Sequence, residues 1–269
     1  MLETTHVTTR VGTIELRRGG DGPPIVYLHS AAGEGPGLEF LDRLAEGGHL
    51  YAPMFCGFET SEGIEQIDDM DDAVFHLLDL WDVLGLESPT VVGLSLGGWM
   101  AAELAVRYPE KVGRLVLINP VGLYIRGAEI KDIFGRAPSE MADDMFASPD
   151  HPVAQMMRMM ETSFAELTAG TPIPFELIRT QVQALSATAR LGWNPYLHDP
   201  KLAGRLHRVT APTLVIRGEH DSLVPSPHCL EYAAAIPHST HEVMADVAHM
   251  ICLEEPAQLA DRIVAFATA

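Results

Sequence analysis

Thr90-Val91-Val92-Gly93-Leu94 is an unbroken apolar run that ends at a glycine-flanked serine and passes at once into helical spacing. Few architectures accommodate such a junction. A strand without polar alternation is covered on both faces, which in practice means a parallel sheet between helices. From Ser95 the residues Gly97, Ala101, Leu104 and Ala105 keep a helical period as far as Tyr108-Pro109. Similar short runs recur at 25–28, 115–118, 213–216 and 241–245, with a weaker one at 50–55. Helical stripes fall between them. In 68–84 the carboxylates of Asp68, Asp69, Asp71 and Asp72 crowd the first turn, where the helix dipole favours negative charge. Residues 3–17 alternate weakly around Gly12 and predict an edge hairpin. The expected fold is α/β, a mostly parallel, doubly wound sheet.

The alternation breaks once. Residues 122–204 hold no good strand but several helical stripes, including Val153, Met156, Met157, Met160, Phe164 and Leu167. This predicts a helical cap (122–204) inserted after the sixth strand, with 1–121 and 205–269 forming one core. Composition narrows the function classes. The net charge is −19, so phosphate backbones and anionic lipid are repelled, and neither nucleic acid nor membrane is an expected partner. Cys56, Cys229 and Cys252 are odd in number and lack C-x-x-C spacing, which argues against a disulfide framework and a thiolate zinc site. The N-terminus lacks the basic start and apolar run of a signal peptide, so a cytoplasmic protein is expected.

Gly93-Leu94-Ser95-Leu96-Gly97 has the pattern G-x-S-x-G in its required setting of strand, sharp turn and helix. A serine hydroxyl is a poor nucleophile at neutral pH and needs a base, which in turn needs an acid to fix its tautomer. Asp221, in Gly218-Glu219-His220-Asp221, follows the run at 213–216, and His249 follows the last strand-like run. Active sites of open α/β sheets lie outside the carboxyl ends of the strands, so Ser95, Asp221 and His249 are expected to meet at one edge. Rival acids are Asp199 and Asp246, neither directly after a well-formed strand, while the end of the run at 115–118 holds Asn119, which cannot ionise.

With these motifs in place, the chain resembles the α/β-hydrolase superfamily over nearly its whole length. The matching pieces are Leu28-His29, Gly93-Leu94-Ser95-Leu96-Gly97-Gly98, Tyr108-Pro109-Glu110-Lys111-Val112, Pro212-Thr213-Leu214-Val215, Gly218-Glu219-His220-Asp221, and His249 with Glu254 and Pro256. The resemblance implies a serine triad, a helical lid and an oxyanion hole of two amides. One amide is that of Leu96. By position the other is assigned to Ala31, in His29-Ser30-Ala31-Ala32-Gly33, where family members often read His-Gly. No metal or organic cofactor is implied. Substrate contacts are expected from His29, Ser30, Met157, Met160, Trp193 and Met250, a set whose Met-rich lid suits a small apolar substrate.

The expected activity is serine-dependent hydrolysis of an ester or lactone, with the oligomeric state, homo-oligomer included, left open. Two alternatives stand beside it. One is hydrolysis of a carbon–carbon bond in a ring-cleavage product, suggested by Gly35-Pro36-Gly37. Against it, Met250 stands where those enzymes carry Trp, and Gln181, with Arg179 nearby, stands where they carry a lid arginine. The other is a non-catalytic small-ligand-binding protein on the same fold.

Overall fold

The computed structural model describes residues 2–34, 38–166 and 175–269, with no side chains described in 162–166 or 175–178. Gly35-Pro36-Gly37, Leu167 and the side chain of Phe164 therefore lie outside the described residues. The apolar runs become strands of one sheet: β1 (Glu3–Thr8), β2 (Thr13–Gly19), β3 (Pro24–Leu28), β4 (His49–Pro53), β5 (Thr90–Leu94), β6 (Arg114–Ile118), β7 (Thr213–Gly218) and β8 (Ser239–Met244). Their spatial order is β1-β2-β4-β3-β5-β6-β7-β8. β1 and β2 form the antiparallel edge hairpin, β2 lies antiparallel to β4, and every later pairing is parallel. All five residues of β5 are buried, which is the physical reason that the run carries no polar alternation.

Helices cover both faces: α1 (Glu39–Gly47), α2 (Met70–Leu84), α3 (Leu96–Arg107), α7 (Pro227–Ala235), α8 (Ile251–Glu254) and α9 (Pro256–Thr268). α1 packs on α9, and α2 on α3. The aspartates before α2 behave as helix-start chemistry. Asp69 is the N-cap, and its side chain accepts from the Asp71 and Asp72 amides at 2.8 and 3.1 Å. Between β6 and β7 the described chain forms α4 (Pro138–Met145), α5 (Pro152–Glu166) and α6 (Phe175–Gly192). The strand-like pairing described there is the single bridge between Gly122 and His198.

Register gathers the strand ends. Leu94 pairs with Ile118, and Ile118 with Ile216, so β5, β6 and β7 finish side by side. The chain then turns sharply. Ser95 after β5, Asn119 after β6 and Asp246 after β8 have φ of 54°, 41° and 60°, in the left-handed region that side chains with a Cβ rarely adopt. Such positions cost roughly 1–3 kcal/mol each and persist where surrounding structure enforces them.

Candidate active site

Ser95 occupies the strained turn, φ 54° and ψ −109°, between β5 and α3. Its N–H donates to the Ile118 carbonyl at 2.9 Å, and its carbonyl accepts from Trp99 and Val121. This bonding holds the backbone in place. The turn requires glycine at a neighbouring position: a Cβ on Gly97 would sit 2.1 Å from the Leu28 carbonyl oxygen. The first turn of α3 thus lies directly against the end of β3, where the loop bearing Ala31 begins. Leu96 is the first residue of α3, so its amide has no intrahelical acceptor. Among the described residues neither the Leu96 nor the Ala31 N–H donates to another group.

Asp221 and His249 are joined by a hydrogen bond of 2.8 Å between Nδ1 of the imidazole and Oδ2 of the carboxylate. The other oxygen of Asp221 accepts from the Leu223 and Val224 amides at 3.0 and 2.9 Å, which fixes the carboxylate plane. Ser95, Asp221 and His249 are 6%, 4% and 1% exposed, so the pair is shielded from bulk water. A buried carboxylate that accepts from Nδ1 leaves Nε2 as the nitrogen that can take a proton.

Asn119 cannot ionise, yet it bonds to the segments that carry Asp221 and His249. Its side-chain amide donates to the Ala248 and His249 carbonyls at 3.2 and 2.9 Å, and its oxygen accepts from the Gly218 N–H at 3.0 Å. The Asn119 backbone N–H donates to Ile216. One buried side chain therefore links the end of β7, which precedes Asp221, to the segment bearing His249. Close backbone contact does the rest, because a Cβ on Gly218 would lie 2.0 Å from the Ala248 carbonyl oxygen.

The expected substrate contacts divide. His29 has both ring nitrogens committed: Nε2 accepts from the Phe55 amide at 2.9 Å, so Nδ1 carries the proton and donates to the Ser30 carbonyl at 2.7 Å. Burial holds its pKa below the ordinary histidine value. It shapes the loop and offers a substrate no hydrogen bond. Ser30 is likewise occupied, its N–H by the Glu34 carboxylate (3.1 and 3.0 Å) and its hydroxyl oxygen by the Ala32 amide (3.1 Å). Trp193 does not line an enclosed pocket: it is 64% exposed and packs on Phe134 at 5.2 Å. Met157 and Met160 are half-buried on α5, and Met250 is buried with its N–H donating to the Met145 carbonyl. Cys56 is buried, which pushes its thiol up to about 12, so it carries no thiolate at neutral pH.

Among the described side chains of α6, Ala184, Ala187, Thr188 and Leu191 are buried. Gln181 and Arg179 point outward, and Arg179 bonds Gln183. Among the described residues, Glu219, His220 and Asp246 bring ligand-type atoms together, but all three are exposed and the Glu219 carboxylate already holds the Asp246 amide. No described helix is long and apolar enough to cross a membrane.

A strained serine at a strand–helix turn, a buried Asp–His pair on the segments that follow β7 and β8, and two amides without acceptors lie at the carboxyl ends of the strands, and among the described residues no hydrogen bond joins Ser95 Oγ to His249. The α/β hydrolase fold family profile matches residues 23–256, and the chain belongs to that family. It is 28% identical over 261 residues to the 2-hydroxymuconate semialdehyde hydrolase of Pseudomonas sp. (strain CF600), covering 92% of this chain and 88% of that protein. Among solved structures, a meta-cleavage product hydrolase from Pseudomonas fluorescens IP01 superposes with a TM-score of 0.77 at 20% identity, covering 98% of this chain and 97% of the other. The naproxen esterase of Bacillus subtilis superposes with a TM-score of 0.73 at 20% identity, over 99% and 91%. These likenesses to solved structures show the fold.

Proposed function

We propose that this hydrolase cleaves an ester or lactone of a small, largely apolar substrate through an acyl-enzyme on Ser95. The single observation that carries the reading is the buried 2.8 Å bond from His249 to Asp221 at the same sheet edge as the strained Ser95. Ser95 Oγ attacks the carbonyl carbon while its proton passes to Nε2 of His249. Asp221 stabilises the resulting imidazolium without itself taking the proton. The N–H groups of Ala31 and Leu96 receive the oxyanion, a contribution of about 2.7–4 kcal/mol per donor in comparable sites. His249 then protonates the leaving alcohol, and water activated by the same base releases the acid. The described buried residues of α6 carry no charge, which supports a neutral acyl group.

A second reading keeps the serine, acid and base but changes the bond to a carbon–carbon bond flanked by a ketone. Its support is the likeness to 2-hydroxymuconate semialdehyde hydrolase across 92% of the chain. One panel separates the two. The purified protein is assayed with acetate, butyrate and octanoate esters, with a lactone, and with a vinylogous keto-acid. Ester hydrolysis that rises from acetate to butyrate is the expected result. Turnover of the keto-acid alone would establish the second reading. A protein that turns over nothing and resists a fluorophosphonate would be a ligand-binding relative instead.

A further inference from the structure

We infer that α4 belongs to the catalytic framework rather than to a moving lid, and that Asp144 is a positioning residue for the Asp221–His249 pair. This role rests on Ser95, His249 and Asp221 acting together as proposed for the hydrolase. Asp144 is a buried carboxylate on the cap, and it reaches the core. It accepts from the Ser222 hydroxyl at 2.9 Å, and Ser222 is the residue after Asp221. Lys131 and Arg136 neutralise it, the Arg136 contact being 2.9 Å. Lys131 also donates from Nζ to Ser222 Oγ at 3.2 Å and from its backbone to the Leu223 carbonyl at 3.1 Å. Leu223 N–H is itself one of the donors to the Asp221 carboxylate.

The next residue of α4 meets the segment of the base. The Met145 carbonyl accepts from the Met250 N–H at 3.1 Å, next to His249. Glu254 spans the same gap, with one oxygen accepting from Ala147 at 2.8 Å and the other from Ala248 at 2.7 Å. Within one helix and its exit, the cap thus contacts the segment after the acid and Met250 directly, and reaches Ala248 through Glu254. A buried carboxylate with three partners has a defined position, and shifting it would leave charge uncompensated away from water. By contrast, the described ties of α6 to the core are longer: Thr188 to the Ala31 carbonyl at 3.5 Å, Gln183 to Glu59 at 3.3 Å, and Arg190 to Ile67 and Asp68 at 3.2 Å.

Asp143 supplies an internal control, because it is the neighbouring carboxylate, exposed and paired with Arg158. The experiment compares Asp144→Asn, Ser222→Ala and Asp143→Asn by two readouts on the whole protein. The first is the downfield proton resonance of the imidazole N–H bonded to Asp221, which needs no turnover. The second is kcat and KM on the best ester or keto-acid, with fluorophosphonate labelling rate beside them. In Asp144→Asn and Ser222→Ala the resonance should shift or broaden, and kcat and labelling should fall at least tenfold with KM within about twofold. Asp143→Asn should match the parent. If Asp144→Asn fails to fold, Ser222→Ala decides, since it cuts only the link to the acid segment. An unchanged resonance, or equal losses in Asp143→Asn and Ser222→Ala, would overturn the assignment. A parent protein that shows the resonance but neither labels nor turns over would instead overturn the hydrolase reading.

Discussion

The sheet edge and the cap grip the same acid–base pair by different means. At the sheet edge backbone packs closely on backbone, Gly97 on Leu28 and Gly218 on Ala248, with one buried side chain, Asn119, bridging two main-chain segments. On the cap side two main-chain bonds, Met250 to Met145 and Lys131 to Leu223, are outnumbered by bonds through the side chains of Asp144, Lys131 and Glu254. Backbone contacts leave no rotamer to adjust, so a misfit there must move a strand or a helix. Side-chain contacts can be lost one at a time. The core should therefore fail abruptly and the cap gradually.

The largest effect expected is at the nucleophile. Ser95→Ala should lower kcat on the order of 10⁴–10⁶-fold with little change in stability, as steady-state kinetics and thermal unfolding together would show. Next comes the backbone contact. Gly97→Ala places a methyl where a carbonyl oxygen already sits, at 2.1 Å from an ideal Cβ, and should cost about 4 kcal/mol. For a chain of this size that is a fall in Tm of roughly 10 °C by calorimetry. If the variant melts like the parent, the rigid-edge half of the comparison is wrong.

Acid should find a weak point in the core, away from the cap. His76 on α2 is buried with both ring nitrogens unpartnered among the described residues, and burial lowers its pKa from 6.5 to about 4. Because the folded value lies below the unfolded one, the neutral form is favoured by folding. Its contribution is complete above pH 6.5 and is lost as the pH falls toward 4, roughly 3 kcal/mol in all. Urea unfolding across that interval should slope accordingly, and His76→Leu should flatten the slope. Asn119→Ala strips partners from two carbonyls and one amide and should cost about 2 kcal/mol, with kcat falling while KM holds. Smallest of all, Arg190→Ala removes a solvent-facing pair with Asp68 and should change unfolding free energy by no more than ~0.5 kcal/mol.

Much of the fold is legible in the sequence because its signals are local. The run at 90–94 is apolar because it is buried on both faces, and the aspartates at 68–72 mark a helix start because one of them caps it. The placement of Ser95, Asp221 and His249 after strand ends can be read for the same reason. What stays hidden is non-local. Asn119 reaches a carbonyl 130 residues away, and Asp144 a hydroxyl 78 residues away, and no spacing rule connects such positions. Glu34 gives no sequence signal either, although its carboxylate holds the Ser30 amide and so shapes the loop bearing Ala31. Side-chain direction is the other blind spot. His29 and Trp193 stand where a substrate contact is plausible in sequence, but one spends both nitrogens on the backbone and the other faces solvent.

The most direct measurement is peptide mass spectrometry after treatment with a fluorophosphonate, run on the parent protein and on His249→Ala. One adduct, on Ser95, formed at least a hundredfold more slowly without the imidazole, is the predicted outcome. An adduct elsewhere, or labelling of Ser95 at an equal rate in both proteins, would contradict the shared action of these side chains.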